Sequence, residues 1–132
     1  MKRIVFSWQP ILVITLFSLL ALPALADRWV FLGERQAERG GDHDTIRVGE
    51  MKGEFDSLRI VVHNAPVRIH KMVIRYESGR QKDLSFDHRI RPGDSRDIPL
   101  HGRYRGIHRV DFWYESASRE GRPALVKLYG RR

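Results

Sequence analysis

Cysteine is missing from all 132 residues. That absence excludes disulfide staples, thiolate nucleophiles, thiol redox chemistry and cysteine-held metals. It also removes the acylation point a bacterial lipoprotein needs. A helical pattern is missing too: no stretch keeps apolar residues at i, i+3, i+4 and i+7 behind a capped start. Catalytic signatures are absent, with no Gly-x-Ser-x-Gly elbow, no His-Glu-x-x-His and no phosphate loop. A non-catalytic protein is therefore expected. The longest apolar run, Ile11 to Leu22, holds twelve residues with Thr15 and Ser18 inside it. Spanning a bilayer takes roughly 20.

That run instead fits the middle of an export signal. Lys2 and Arg3 precede it; Pro23 and the A-x-A pair Ala24 and Ala26 follow it. The pattern predicts a signal-peptide helix over residues 1–26, cleaved after Ala26, with a retained anchor as the competing reading. Residues 27–132 then form a single domain of 106 residues in the periplasm or outside the cell. Without disulfides, apolar burial has to hold it together.

Charge is unevenly spread. Residues 27–66 carry 6 basic and 8 acidic side chains, and residues 67–132 carry 16 and 8. The excess lies wholly in the second part and is mostly arginine, 19 Arg against 5 Lys along the chain. Arginine grips carboxylates and phosphates through a planar fork. The ordinary reading is a solvated surface; the sharper one is a face for polyanions.

What the chain does contain is a period of two. Leu58, Ile60 and Val62 alternate with Arg59, Val61 and His63. Similar runs surround Trp29–Leu32, Ile46–Val48, Val67–Tyr76, Leu84–Ile90, Ile98–Leu100, Ile107–Tyr114 and Ala124–Tyr129. About eight short strands are predicted, in an all-β antiparallel sandwich of jelly-roll or related Greek-key type. Arg91-Pro92-Gly93-Asp94 predicts a type II turn. Asn64-Ala65-Pro66 and Gly102–Arg105 have hairpin-loop lengths, and Arg39–Asp44 reads as a flexible loop. Within that loop, Asp42 and Asp44 are the right type to hold a hard cation, but the twelve-residue calcium loop pattern is absent and a polar turn is the expected account. His88 falls on the apolar parity of its strand and reads as a core histidine.

Residues 56–78 and 94–116 match at nine of 23 positions without a gap. The shared set includes Ile60/Ile98, His63/His101, Ile69/Ile107, His70/His108, Tyr76/Tyr114 and Glu77/Glu115. A duplicated hairpin inside one sandwich is the expectation. In each stretch the parity breaks at the second histidine, since Ile69 to Met72 and Ile107 to Val110 both span three residues. One extra residue restores both apolar partners to the core side, which is the count of a β-bulge. The competing reading joins His63, His70, His101 and His108 in a metal site. No metal or other cofactor is expected.

Trp29-Val30-Phe31-Leu32-Gly33 after the leader, long strands ending in tyrosine, and the closing Val126-Lys127-Leu128-Tyr129-Gly130 resemble a family of small exported proteobacterial proteins classed as a domain of unknown function. The resemblance implies a periplasmic β-sandwich and assigns no site residues. The expected function is a non-catalytic binding or envelope-associated module. Arg89, Arg91, Arg96, Arg103, Arg105 and Arg109 would be its contact surface for an anionic envelope component or protein. Export argues against nucleic acid as the partner. The alternative is a structural or protein-interaction domain using a sheet edge or an aromatic face, with Trp113 opposite Phe112 and Tyr114 in parity. A hydrolase built on acids such as Glu77 and Glu115 is the third reading.

Overall fold

The computed structural model describes residues 28–49, 52–101, 105–119 and 121–132. Alternating burial produces nine strands among the described residues: β1 (Trp29–Ala37), β2 (Gly40–Arg47), β3 (Glu54–Phe55), β4 (Ser57–His63), β5 (Val67–Tyr76), β6 (Gln81–Ile90), β7 (Ser95–Pro99), β8 (Arg105–Ser116) and β9 (Ala124–Arg131). The strand beyond the expected eight is the two-residue β3. β9 shows the governing rule: Ala124, Val126, Leu128 and Gly130 are buried while Leu125, Lys127, Tyr129 and Arg131 are half-buried on the outer face.

One sheet has the order β1-β9-β4-β7, the other β2-β8-β5-β6 with β3 beside β8. β1 pairs with β9, β2 with β8, β4 with β7 and β5 with β6. That is one long antiparallel hairpin rolled into two sheets, which β4·β9 and β5·β8 then complete. It is the jelly-roll order. Leu58, Ile60, Val62, Val126 and Leu128 of the first sheet meet Ile69, Met72, Ile74, Val110 and Phe112 of the second in a single core. The hollow bounded by Ile46, Ile60, Ile69, Met72, Val110, Phe112, Val126 and Leu128 is about 10 Å³. A void that small and apolar holds no ligand. Gly130 serves the packing: a Cβ there would come within 2.5 Å of the ring of Phe55, which is fully buried.

Both expected bulges are present. Against β8 the register of β5 slips between Ile69 and Lys71, leaving His70 as the extra residue; against β6 it slips at the same place in the opposite sense, with the extra residue on β6 between Ser85 and His88. On β8 the partner of Arg75 is Arg109 and that of Tyr76 is Ile107, leaving His108 extra. Ile69, Met72, Ile107 and Val110 all turn inward as a result. The type II turn is present too, with Asp94 N–H donating to Arg91 C=O at 3.0 Å and Gly93 at φ 86°.

Four expectations are corrected. Asn64–Pro66 is no hairpin loop, because it carries the chain from β4 in one sheet to β5 in the other. The connection from β7 to β8 crosses in the same sense, although residues 102–104 lie outside the described residues. Arg39–Asp44 is no flexible loop: Gly40 to Asp44 belong to β2 and pair with Ser116 to Phe112. His88 is exposed: β6 is an edge strand, and although Ile90 two residues on is buried, the His88 ring lies at the open side of the sandwich, 3.2 Å from Arg96 Nη1 of β7.

The two matching stretches face each other. β4 of one pairs with β7 of the other, and β5 with β8. In the first sheet Arg59 faces Asp97; in the second Val73 faces Asp111. Each facing pair is one position of the match, 38 residues apart. A facing pair marks the local two-fold axis of an antiparallel ladder, so the stretches are related by an approximate two-fold through both sheets.

Candidate functional site

The shared histidines and glutamates follow that two-fold. His70 Nε2 lies 3.5 Å from Glu115 Oε1, and His108 Nδ1 lies 3.7 Å from Glu77 Oε1. Each bulge places the histidine of one stretch against the strand-end glutamate of the other. The sites are roughly 20 Å apart along β5 at the usual strand rise. His63 is half-buried at the end of β4 and His101 is exposed after β7. Among the described residues no three His, Asp or Glu side chains gather as a metal-holding group. Glu77 and Glu115 stand at opposite ends of the β5–β8 ladder, too far apart to act as a catalytic pair. The fold separates them because antiparallel pairing sends equivalent strand ends in opposite directions.

On the outer face of the second sheet, Asp111 is almost fully covered, 4% exposed. Thr45 Oγ1 donates to it at 2.5 Å and Arg75 Nε at 3.2 Å. Arg109 Nε lies 3.4 Å away, buried but without a hydrogen-bond partner. Burial pushes the Asp111 carboxyl up, but the bonds from Thr45 and Arg75 and the charges of Arg109 and Arg75 outweigh it and leave it below the usual carboxylate range. Beside it the His43 and Trp113 rings stack at 4.3 Å, with Lys71 Nζ 5.1 Å from the Trp113 ring. Asp44 Oδ2 accepts from the Tyr114 hydroxyl at 2.6 Å. Burial, and then Asp44, raise the Tyr114 phenol and keep it a donor.

The strongest concentration of chemistry lies at one end of the sandwich, where β5 begins and β6 and β8 end. Asn64, Ala65, Pro66, Arg89, Ala117, Arg119 and Arg122 line a cleft of about 410 Å³. It continues into a hollow of about 260 Å³ that shares Pro66, Arg89 and Ala117 and adds Arg68, Glu115 and Ser116. Arg68 is engaged by Asp87 at 3.0 Å, and His70 Nδ1 lies 3.3 Å from the same carboxylate. Arg89, Arg119 and Arg122 have no carboxylate within ion-pair reach among the described residues.

The cleft wall is firmly built. Ser118, buried, donates its hydroxyl to Ala37 C=O at 2.6 Å and accepts from Ala124 N–H at 2.8 Å. Ser116 Oγ, 2.5 Å from that hydroxyl, accepts from Ser118 N–H at 3.2 Å. Asn64, at φ 73°, donates its amide to Pro123 C=O at 3.2 Å. Arg122 N–H closes the turn on Arg119 C=O at 3.0 Å. Arg119 and Arg122, which line the cleft, are thus joined backbone to backbone.

Of the arginines read from the sequence, Arg89 alone among the described residues lines this cleft. Arg91 is exposed in the β6–β7 turn. Arg96, on β7, lies 5.1 Å from the Phe86 ring, with Nη1 3.2 Å from His88 Nδ1. Arg109 joins Asp111, as above. Arg103 and the side chain of Arg105 lie outside the described residues, as do Ala24 and Ala26. Arg68, Arg119 and Arg122 were not picked out from the sequence; their only signal there is the arginine excess after residue 66.

No helix among the described residues is long and apolar enough to cross a membrane. Nothing among the curated proteins or the solved structures matches the chain. A family model described as a domain of unknown function (DUF2541) matches residues 11–130, and the chain belongs to that family.

Proposed function

We propose that this DUF2541 member is an exported, non-catalytic module of the bacterial envelope that binds an anionic group in its arginine cleft. One observation carries the reading: Arg89, Arg119 and Arg122 converge on one cleft whose described lining residues, in its larger part, include no carboxylate. Forked donors on a pinned turn suit phosphate, sulfate or carboxylate groups. The apolar floor of Ala65, Pro66 and Ala117 suits the body of a sugar or glycolipid more than a free ion. The leader supports export to the periplasm, where such groups are displayed. The two matching stretches read as an internal duplication that supplies scaffold, since their shared residues build bulges and strand ends and none lines the larger part of the cleft.

The test uses dextran sulfate against neutral dextran, with the purified chain lacking its leader. Dextran sulfate is expected to bind, and to be released as salt rises from low to physiological strength. Arg89→Ala combined with Arg122→Ala should weaken binding about tenfold or more. Arg80→Ala, in the β5–β6 turn, should leave it unchanged. Equal binding of neutral dextran, or indifference to the cleft substitutions, would overturn the reading.

A further inference from the structure

The opposite quarter of the molecule carries a different surface, on the outer face of the first sheet. Phe31, 45% exposed, is the only exposed large apolar side chain among the described residues. It meets Tyr129 edge-on at 5.6 Å between ring centres. One row along, Trp29 lies under Arg59 at 3.9 Å, with Arg131 at 5.6 Å. Both arginines are already satisfied. Arg59 grips Asp97 through two bonds of 2.6 and 2.9 Å, and Arg131 bonds Asp56 at 2.9 Å. The result is a flat plate of rings and neutralised guanidinium groups.

At one end of that plate lie three cations with no carboxylate within ion-pair reach among the described residues. Arg132 N–H donates to Arg28 C=O at 3.2 Å, and Arg132 Nη2 donates to Lys52 C=O at 2.5 Å. These bonds gather Arg28, Lys52 and Arg132, all exposed, at the end of the sandwich where β1 begins and β9 ends, with the Arg132 guanidinium 5.9 Å from the Phe55 ring. Aromatic side chains with polar edges, rimmed by long cationic ones, match the interfacial layer of a bilayer. Anionic headgroups attract such a rim.

The route of the chain selects the same surface. The apolar run ends at Leu22, seven residues before Trp29. Seven extended residues reach at most about 25 Å. While that run occupies a membrane, the Trp29 end of the first sheet is the part of the domain held closest to it. We infer that the Trp29–Phe31–Tyr129 plate, with its Arg28–Lys52–Arg132 rim, is a docking face for an anionic lipid bilayer. It is independent of the arginine cleft and persists once the leader is removed. Phe31 enters the acyl boundary, Trp29 and Tyr129 sit at headgroup level, and the rim lies over lipid phosphates.

Residues 28–132 hold all nine strands, so the chain starting at Asp27 serves for the test. It is sedimented with vesicles of phosphatidylcholine alone and of phosphatidylcholine with 30% phosphatidylglycerol, while tryptophan emission is recorded. Binding to the mixed vesicles with a blue shift is expected. Phe31→Ser and Arg132→Glu should each weaken it about tenfold, with melting temperature unchanged for the exposed Phe31. Arg89→Ala with Arg122→Ala should leave it intact, so failure of the cleft reading and failure of this one are distinguishable. The inference is overturned by absence of binding to both vesicle types, or by binding that survives Phe31→Ser and Arg132→Glu. Binding that needs Arg89 and Arg122 would assign the lipid to the cleft instead. A dimer in free solution that Phe31→Ser splits would assign the plate to a second copy.

Discussion

Residues 56–78 and 94–116 occupy equivalent places in the sandwich, yet they differ most where they meet. Away from the two-fold they share Ile60/Ile98, Ile69/Ile107, both bulge histidines and both strand-end glutamates. At the two-fold they carry Arg59 against Asp97 and Val73 against Asp111. A residue on such an axis faces its own equivalent. Identity there would set arginine against arginine or aspartate against aspartate, and like charges directly opposite are destabilising. Divergence at the axis permits what identity forbids: a bidentate Arg59–Asp97 pair, and a single Asp111 shared by Thr45, Arg75 and Arg109.

The comparison is broken most severely in the core. Ile69→Ala and Ile107→Ala each empty a fully buried site, and each should destabilise the fold by about 3 kcal/mol. Chemical denaturation should give similar losses for both; a large inequality would mean that the bulges pack differently.

Next comes the axis of the second sheet. Asp111→Asn removes an almost covered charge and should lower stability at neutral pH by about 2 kcal/mol. The folded carboxyl is held below its unfolded range, so its stabilising effect is present above about pH 4 and is lost as pH falls through the folded pKa. Melting curves of Asp111→Asn should therefore approach those of the wild type in acid. Asp97 shifts the same way, chiefly through its bond from Arg59, and should keep part of the acid sensitivity in that variant.

A smaller effect is expected at the axis of the first sheet. Asp97→Arg makes the stretches identical there and should lower stability by about 1 kcal/mol, more at low salt. The added change Arg59→Asp should recover part of it but not the contact of Arg59 with Trp29. Smallest is the exposed pair built twice. Glu77→Gln and Glu115→Gln should each move stability by less than about 0.5 kcal/mol. Thermal melts showing a larger change for Glu115→Gln would point to the shared Asp87–His70–Glu115 cluster beside the cleft.

Legibility in the sequence followed distance along the chain. The bulges could be read because a three-residue gap between Ile69 and Met72, or Ile107 and Val110, is a local fact about which way side chains point. Asn64–Pro66 misled because three residues of about 3.3–3.6 Å each bridge sheets about 10 Å apart as readily as they close a hairpin. Gly40 to Asp44 looked like a loop by composition, but pairing with β8 overrides a weak strand preference. His88 follows the apolar parity of β6, but there the edge strand opens toward β7 of the other sheet, where the ring meets Arg96 rather than the core.

The same division runs through the candidate surfaces. By itself the sequence determined an all-β chain, its inward and outward positions, two bulges and an arginine-rich second part. Each of these depends on neighbours a few residues away, where the period of two is dictated by backbone geometry. Only the tertiary structure decided that Arg89, Arg119 and Arg122 share a cleft, that Phe31 joins Tyr129, and that Glu77 and Glu115 stay apart. Those meetings depend on which strand lies beside which. That order comes from closing one core with the whole chain, and no local pattern encodes it.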